Sequence, residues 1–163
     1  MTITIADFDA IETKNLSYQN YTYDDVGKPK AEVMARKFGL KHLDMRIDRP
    51  ADLKPFDFVV LCVDNSKARK MVYEVCSQNG VGWLDLRCNE RNIAYYLPSA
   101  KNTLSEMLTT IGNTDEQASC QREVDIKDNK ISYACVAIAA IGVQVLLNVL
   151  RNETVADTMI KRV

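Results

Sequence analysis

The feature that most constrains the fold is the run of residues 56–63, which is almost uninterruptedly apolar and contains one charge, Asp57. Such a run is typical of a central strand covered on both faces, as in sheets that carry helices on either side. The run leads into Asp64, and Asn65 or Ser66 can cap a following helix. This segment predicts a buried strand followed by a helix, which is the basic unit of an α/β protein.

The residues ahead of this run repeat the alternation of strand and helix. Residues 2–6 are β-branched and alternating, and residues 42–47 predict a second short strand. Between them, Pro29 marks the start of a helix that ends at Gly39. We interpret residues 11–25, which have no clear period, as a loop.

The second half of the chain is less regular. Residues 83–87 and 92–97 predict a hairpin, some helix is expected within residues 100–111, and residues 112–130 are interpreted as a polar loop. Residues 131–151 predict a helix that is buried over most of its surface. Together the elements predict one α/β domain with a mostly parallel sheet flanked by helices.

Composition excludes several function classes. The net charge is −1, with basic and acidic residues interleaved, so nothing indicates a nucleic-acid surface. No apolar run reaches the roughly 20 residues that span a bilayer, so we expect no membrane partner. The five cysteines include no Cys-x-x-Cys pair and no signal peptide is visible, which favours reduced thiols in the cytoplasm. A single His argues against zinc.

Three short motifs share an order and a spacing with one known family. In chain order they are Asp7-Phe8-Asp9 with Asn15-Leu16-Ser17-Tyr18-Gln19, then Gly27-Lys28-Pro29-Lys30, then the apolar strand that ends in Asp64-Asn65. They resemble the adenylation domain of the ThiF, MoeB and HesA-type enzymes of the ubiquitin-activating superfamily. That family's pattern has an Asp-x-Asp strand end, Asn-Leu-x-Arg-Gln, a Gly-x-Pro-Lys helix start and an Asp-Asn strand end. The resemblance is strongest over residues 1–97.

The resemblance implies both a reaction and its cofactors. Enzymes of this family join the C-terminal carboxylate of a ubiquitin-like or sulfur-carrier protein to the α-phosphate of ATP and expel pyrophosphate. The resemblance therefore implies a Rossmann-like fold, ATP and Mg²⁺ as cofactors, and such a carrier protein as partner. A site for this reaction has to neutralise a triphosphate and hold two anions together.

The family's functional positions can be carried over residue by residue. By resemblance, the nucleotide-binding residues are Asp7, Asp9, Asn15, Lys30, Asp64 and Asn65. Asp7 would accept the ribose hydroxyls, Lys30 would contact phosphate and assist catalysis, and Asp64 would hold Mg²⁺. Seen singly, each position also fits an ordinary turn, cap or solvated lysine. The joint occurrence of the motifs favours the functional interpretation.

One cysteine is a candidate nucleophile. Some members of the family carry a Cys before the C-terminal helix that forms a thioester or persulfide with the carrier. Cys120 lies in the predicted polar loop and is the best match to it, since an accessible thiol of lowered pKa is nucleophilic. The alternative is an incidental exposed thiol. Cys62, Cys76 and Cys135 lie on apolar segments and are interpreted as core residues.

The chain departs from the family pattern in two ways. Its six glycines form no phosphate-cradling Gly-rich turn, and the sequence begins at the family's second strand, so the N-terminal β-α unit is expected to be incomplete. Tyr18 stands where the family has Arg, and a phenol cannot provide a guanidinium's positive fork. Since the first strand lies in the middle of such sheets, we expect residues 2–6 and 58–63 either to pair directly or to leave open edges.

These departures leave three accounts of the chain open: a fragment of a longer product, one half of a split or heterodimeric enzyme, or a degenerate relative that only binds. In each of them, ATP activation by this chain alone is not expected. An incomplete sheet and exposed apolar surface predict a homo-oligomer or a partner subunit. A nicotinamide-dependent oxidoreductase ranks last, because the family motifs have no role in one.

Overall fold

The computed structural model describes residues 1–89, 91–98, 103–111, 127–128, 130 and 132–163. These residues form two compact units, residues 1–48 and residues 49–163. Within the described part of the chain, no helix has both the length and the apolar character needed to cross a membrane.

The first unit contains a short parallel sheet and one helix. Strand β1 (Thr4–Ala6) pairs in parallel with β2 (Lys41–Leu43), and helix α1 (Lys30–Phe38) connects them. The segment interpreted as a loop contains two 3-10 turns, Thr13–Ser17 and Tyr23–Asp25. The predicted strand–helix–strand order of this region is confirmed.

The bounds of α1 follow from the two residues that flank it. Pro29 precedes the first helical residue, and the helix ends at Gly39, whose φ of 66° is the left-handed conformation that glycine adopts at little cost. The residues of α1 that are nearly inaccessible to solvent are small or β-branched, and they lie on more than one side of the helix: Ala31, Val33 and Ala35. The predicted helix between the proline and the glycine is confirmed.

Among the residues that the structure describes, the second unit contains a four-stranded sheet, three α-helices and a 3-10 turn at Pro50–Leu53. In chain order the strands and α-helices are β3 (Phe58–Leu61), α2 (Ser66–Asn79), β4 (Gly82–Asn89), β5 (Asn92–Tyr96), α3 (Leu104–Thr109), α4 (Ala134–Leu150) and β6 (Thr158–Arg162). The strand order is β3-β4-β5-β6, with β3 and β4 parallel and the other two pairs antiparallel. The α/β class and the β4–β5 hairpin are confirmed, whereas β6 was not predicted.

Strand β4 separates two differently packed faces of this sheet. Leu84 and Leu86 point to one face and join a core that includes Ile138 and Val145 of α4. Trp83 points to the other face and stacks on Tyr73 of α2, with ring centroids 3.9 Å apart. Helices therefore cover both faces of β4. The prediction that residues 56–63 form a central strand covered on both faces was wrong for the described sheet, because this run forms β3 at the sheet edge and its Val60 is 42% exposed.

Both strands that were expected to flank the family's first strand, β1 and β3, keep an open edge in the described part of the chain. Among the described residues, β1 has β2 as its single partner strand, and β3 has β4 as its single partner strand. Of the two arrangements expected from the sequence, this is the one with open edges. An unpaired edge exposes backbone N–H and C=O groups that another strand can bind.

The prediction that the final helix is buried over most of its surface was wrong. Its buried residues lie on one stripe, namely Ala134, Ile138, Gly142 and Val145. Val136 and Val143 remain 59% exposed and Leu150 49% exposed. The sequence was misleading because the helix carries no charged residue and is apolar on most of its surface, whereas it packs on a single face of the sheet.

The cysteines divide differently from the prediction. Cys76 is buried in α2 as expected, but Cys62 is exposed because it lies just beyond the last residue of β3. Cys135 is half-buried. The predicted catalytic Cys120, and most of the predicted loop around it, lie outside the described residues.

Candidate functional site

The turn between β3 and α2 carries the first group of candidate residues. Asp64 is exposed just after the carboxyl end of β3. Asn65 is the cap of α2, since its side-chain Oδ1 accepts a hydrogen bond of 3.0 Å from the backbone N–H of Ala68. The two candidate site residues therefore have different positions. Asn65 fixes the start of the helix, whereas the carboxylate of Asp64 faces solvent.

The β3–α2 turn offers a single carboxylate to a Mg²⁺ ion, that of Asp64. Among the residues that the structure describes, no group of three or more His, Cys, Asp or Glu side chains is placed to hold a metal ion. A dedicated protein cage for a metal is therefore not present in that part of the chain. Mg²⁺ usually keeps several waters and is bound by one or two carboxylates plus substrate phosphates. A single exposed Asp64 fits an ion that arrives with a nucleotide.

The second group of candidates lies in the first unit, after β1. The backbone N–H of Asp9 donates to Asp7 Oδ1 at 2.9 Å, and Lys30 Nζ donates to Asp9 Oδ2 at 2.8 Å. The backbone N–H of Lys30 also donates to the carbonyl oxygen of Asp9 at 2.9 Å. The fold thus brings Lys30 to Asp9, which lies twenty-one residues earlier in the chain and is itself bound to Asp7. Lys30 has three N–H donors, so its bond to Asp9 leaves capacity for a phosphate.

Asn15 differs from the other candidates because its side chain is turned inward. It is only 3% exposed. Its Oδ1 accepts from the backbone N–H of Glu12 at 2.9 Å, and its Nδ2 donates to the hydroxyl of Tyr18 at 3.2 Å. Tyr18, which replaces the arginine of the family motif, is therefore bound to the neighbouring motif residue. These two bonds use one of the two N–H groups of the Asn15 amide.

A buried carboxylate stabilises the loop that carries these residues. Asp25 is 5% exposed and accepts hydrogen bonds from the backbone N–H and the hydroxyl of Thr22, both at 2.9 Å, and from Lys37 Nζ at 3.2 Å. The backbone hydrogen bond from Thr22 is the main cause that lowers the pKa of Asp25 to about 2. Asp25 is thereby held as an anion, which fixes the loop to α1.

Near this loop, Tyr21 is held in its neutral form. Burial is the main cause that raises its pKa to about 12, and the negative charges of Asp7 and Asp25 add to the effect. The phenol can therefore act as a hydrogen-bond donor over the whole physiological range of pH. The negative charge of Asp7, the residue expected to accept ribose hydroxyls, contributes to this raised pKa of Tyr21.

The second unit contains a charged network that the sequence analysis missed. Asp85 of β4 is fully buried. Its carboxylate accepts hydrogen bonds from Arg69 Nε at 3.0 Å, from the Tyr73 hydroxyl at 2.6 Å and from Arg87 Nε at 2.7 Å. A detectable signal was present, because Asp85 and Arg87 stand on the same side of a strand that is otherwise mainly apolar. A buried charge needs a partner, so the pattern predicts one.

The outer members of this network reach two neighbouring segments. Arg69 also donates to the carbonyl oxygen of Val63, the residue before Asp64. Arg87 donates to the carbonyl oxygen of Thr110 at 2.7 Å and to its hydroxyl at 3.0 Å. Burial is the largest single influence and acts to lower the pKa of Arg87, but the charges of Asp85 and Tyr73 and the hydrogen bonds to both together raise that pKa above its usual value. The guanidinium is therefore a permanent cation.

The predicted site residues thus fall into separate groups. Asp7, Asp9 and Lys30 are joined in the first unit, where Asn15 lies in its own hydrogen-bonded turn. Asp64 and Asn65 belong to the second unit.

Comparison with known proteins supports the family resemblance that the sequence motifs indicated. The model of the ThiF family matches residues 1–161. The ubiquitin-like modifier-activating enzyme 5 of Drosophila virilis is 23% identical in an alignment of 117 residues, which covers 58% of this chain and 29% of that protein. The chain thus spans less than a third of the curated relative.

Solved structures of MccB share the fold. The microcin C7 biosynthetic enzyme MccB in complex with N-formylated MccA has a TM-score of 0.70 at 20% identity, over 94% of this chain and 51% of that one. E. coli MccB with ATP has a TM-score of 0.55 at 19% identity, over 86% of this chain and 48% of that one. The likeness establishes a Rossmann-like ThiF-type fold. With a family match over nearly all of its length, the chain belongs to the ThiF family.

Proposed function

We propose that the chain takes part in the ATP-dependent adenylation of the C-terminal carboxylate of a ubiquitin-like or sulfur-carrier protein. The observation that carries the proposal is the β3–α2 turn, where the exposed Asp64 precedes a helix capped by Asn65. The N-terminus of a helix favours negative charge, and an adjacent carboxylate can hold the Mg²⁺ of a nucleotide. The known proteins add support, because MccB has been solved with ATP and with MccA.

In this proposal each candidate residue has a defined task. Asp7 accepts hydrogen bonds from the ribose hydroxyls, next to Asp9, and Lys30 turns its remaining donors to phosphate. The inward-facing Asn15 offers its remaining amide N–H to phosphate. Asp64 holds Mg²⁺. The cofactor supplies the activated phosphate, and the protein supplies position and charge.

We further propose that this chain does not complete the reaction alone. Family members use an Arg where this chain has Tyr18, and that phenol is already bound to Asn15. The sequence contains no Gly-rich turn, whose backbone N–H groups would cradle phosphates. Phosphate is therefore left mainly to Lys30, which Asp9 also neutralises. A partner chain or a further segment would have to supply the missing donors.

The second candidate function is a non-catalytic partner subunit that docks a carrier protein or completes another subunit's site. The pairing of Lys30 with Asp9 favours it, because a lysine that already binds a carboxylate gives less to a phosphate. In this candidate Cys120 is an incidental thiol, whereas in an active enzyme it is the proposed nucleophile for the carrier.

Self-association or binding to a partner subunit is expected under both candidate functions. The outward face of α4 exposes Val136, Val143 and Leu150, a row of apolar side chains along one helix. We propose that a second copy of the chain or a partner subunit covers this row, in the cytoplasm, where the cysteines stay reduced. A mass that stays monomeric in light scattering across a concentration series would speak against a homo-oligomer.

The test of the nucleotide role is calorimetric titration with Mg·ATP. We expect the wild type to bind and the Asp64→Ala variant to lose binding. Asp57→Ala is the matched control, since Asp57 is an exposed aspartate before the same strand. At a hundredfold excess over Kd, binding should stabilise the protein by about 2.7 kcal/mol.

The remaining outcomes separate the two candidates. Binding without ATP–pyrophosphate exchange, with candidate carriers present, agrees with a domain that needs a partner to react. The absence of any heat at millimolar Mg·ATP would remove the nucleotide role from this chain and leave the partner subunit as its function. Equal binding by wild type and Asp64→Ala would refute the role of Asp64.

A further inference from the structure

The structure contains a hydrogen-bonded connection between the buried carboxylate of Asp85 and the turn that bears Asp64. One guanidinium, that of Arg69, bridges them. Its Nε donates to Asp85 Oδ1 at 3.0 Å, and its terminal nitrogen donates to the carbonyl oxygen of Val63. The side chain of Arg69 is 10% exposed and that of Asp85 is fully inaccessible. The two ends of the bridge are therefore a fixed anchor in β4 and the residue that immediately precedes Asp64.

The same turn is held from the helix side. The backbone N–H of Arg69 donates to the carbonyl oxygen of Asn65 at 3.1 Å, and the N–H of Ala68 donates to the side chain of Asn65 at 3.0 Å. Val63 and Asn65, the two neighbours of Asp64, are thus both bound to groups of the first turn of α2. The backbone of Asp64 has little freedom between them, although its side chain is exposed.

The anchor itself is rigid. Asp85 also accepts from Tyr73 and Arg87, and Arg87 donates to Tyr73 at 2.8 Å. Charge-assisted hydrogen bonds between buried groups are stronger and more directional than neutral ones at a surface. A lysine in place of Arg69 would keep the positive charge beside Asp85. It would have one nitrogen instead of a planar fork, so it could not serve both acceptors in the same geometry.

We infer that Arg69 is a positioning residue: by bridging Asp85 and the Val63 carbonyl, it fixes the turn that presents Asp64 to a magnesium–nucleotide. The effect on nucleotide binding rests on the proposed function, whereas the bridge from Asp85 to the Val63 carbonyl does not depend on it. Arg69 does not touch the nucleotide in this account. It acts through the backbone on either side of Asp64.

The experiment compares the Arg69→Lys variant with Arg151→Lys, the same substitution at an exposed arginine of the same unit. The first readout is amide hydrogen exchange without ligand. We expect the backbone amides at positions 68 and 69 to exchange about tenfold faster in Arg69→Lys, which is the loss expected for a hydrogen bond to a charged group. Amides of the β5–β6 pair, which lie outside the turn, should keep their rates.

The second readout is the Kd for Mg·ATP, measured by calorimetry well below the unfolding temperature. We expect Arg69→Lys to raise it about tenfold and Arg151→Lys to leave it unchanged. A merely structural role would speed exchange in the whole unit equally and leave the Kd unchanged. That result, or exchange at the turn equal to that of the control, would overturn the inference.

The two readouts also separate this inference from the proposed function. If the wild type does not bind Mg·ATP, the proposed nucleotide role fails, while hydrogen exchange still decides whether Arg69 fixes the turn. If the wild type binds and both arginine variants bind equally well, the nucleotide role stands and the positioning role of Arg69 is refuted.

Discussion

The buried carboxylate of Asp85 should dominate the stability of the second unit, and its replacement by asparagine tests this most directly. Asp85→Asn keeps the size and shape of the side chain but removes its charge. Arg69 and Arg87, whose Nε atoms lie 3.0 and 2.7 Å from the carboxylate, would then remain as one buried and one half-buried cation beside an amide. Removing one partner of a buried ion pair costs about 3–5 kcal/mol.

The magnitude follows from comparing this burial with an ordinary surface pair. An exposed ion pair contributes about 0–1 kcal/mol, because water solvates both charges when the pair is broken. Water cannot reach Asp85, whose side chain has no exposed surface. A loss of about 4 kcal/mol is a large part of the roughly 5–15 kcal/mol that typically stabilises a domain. With a urea dependence of about 2 kcal/mol per molar, the midpoint should fall by about 2 M.

The chain contains a built-in probe for the assay. Its single tryptophan, Trp83, is 1% exposed and stacks on Tyr73 beside the network, so its fluorescence in urea reports unfolding of this unit. Asp57→Asn, at an exposed position of the same unit, is the control and should change the midpoint little. Equal midpoints for Asp85→Asn and the control would refute the reasoning.

A combined variant tests whether Asp85→Asn is destabilising because it leaves the two arginine charges without a buried counter-charge. Replacing Arg69 and Arg87 by methionine, Asp85 by leucine and Tyr73 by phenylalanine removes all three charges together with the buried hydroxyl that binds them. Buried ion pairs exchanged for apolar residues of similar volume are often neutral in stability. We therefore expect this variant to recover most of the stability that Asp85→Asn loses. If it were no more stable than Asp85→Asn, an uncompensated charge would not be the cause.

Three further predictions concern other parts of the chain. Because the folded-state pKa of Asp25 is lowered to about 2, its contribution to stability is present above about pH 4 and lost as the pH falls towards 2; Asp25→Asn should flatten this acid dependence in circular-dichroism melts. Gly142→Val should cost about 1–3 kcal/mol in urea denaturation, because a Cβ there would lie 2.5 Å from Leu86 Cδ1, and Leu86→Ala should relieve most of this cost. A thiol reagent at pH 8 should label exposed Cys62 and spare Cys76, since burial raises the pKa of Cys76 to about 11; rapid labelling of Cys76 in the folded protein would contradict its placement in the core.

Local sequence patterns were sufficient where the structure depends on neighbouring residues. The helix between Pro29 and Gly39 and the β4–β5 hairpin were predicted, and the cap at Asn65 was one of two predicted alternatives, because caps, glycine conformations and turn residues act within a few positions of the chain. The motif residues indicated the family for the same reason, since their spacing is a property of the sequence. Their assignment to individual ligand atoms remains a proposal.

What only the tertiary structure decided is which charges and apolar surfaces find partners far away in the chain. Lys30 binds Asp9 across the loop between β1 and α1, and Arg69 and Tyr73 of helix α2 bind Asp85 of strand β4. Helix α4 is apolar on most of its surface, yet only one side of it packs on the sheet, so many of its apolar residues stay exposed. Because apolar residues occur on most sides, the sequence pattern could not show which of them would be buried. Each outcome depends on packing between elements distant in sequence, and no local pattern encodes it.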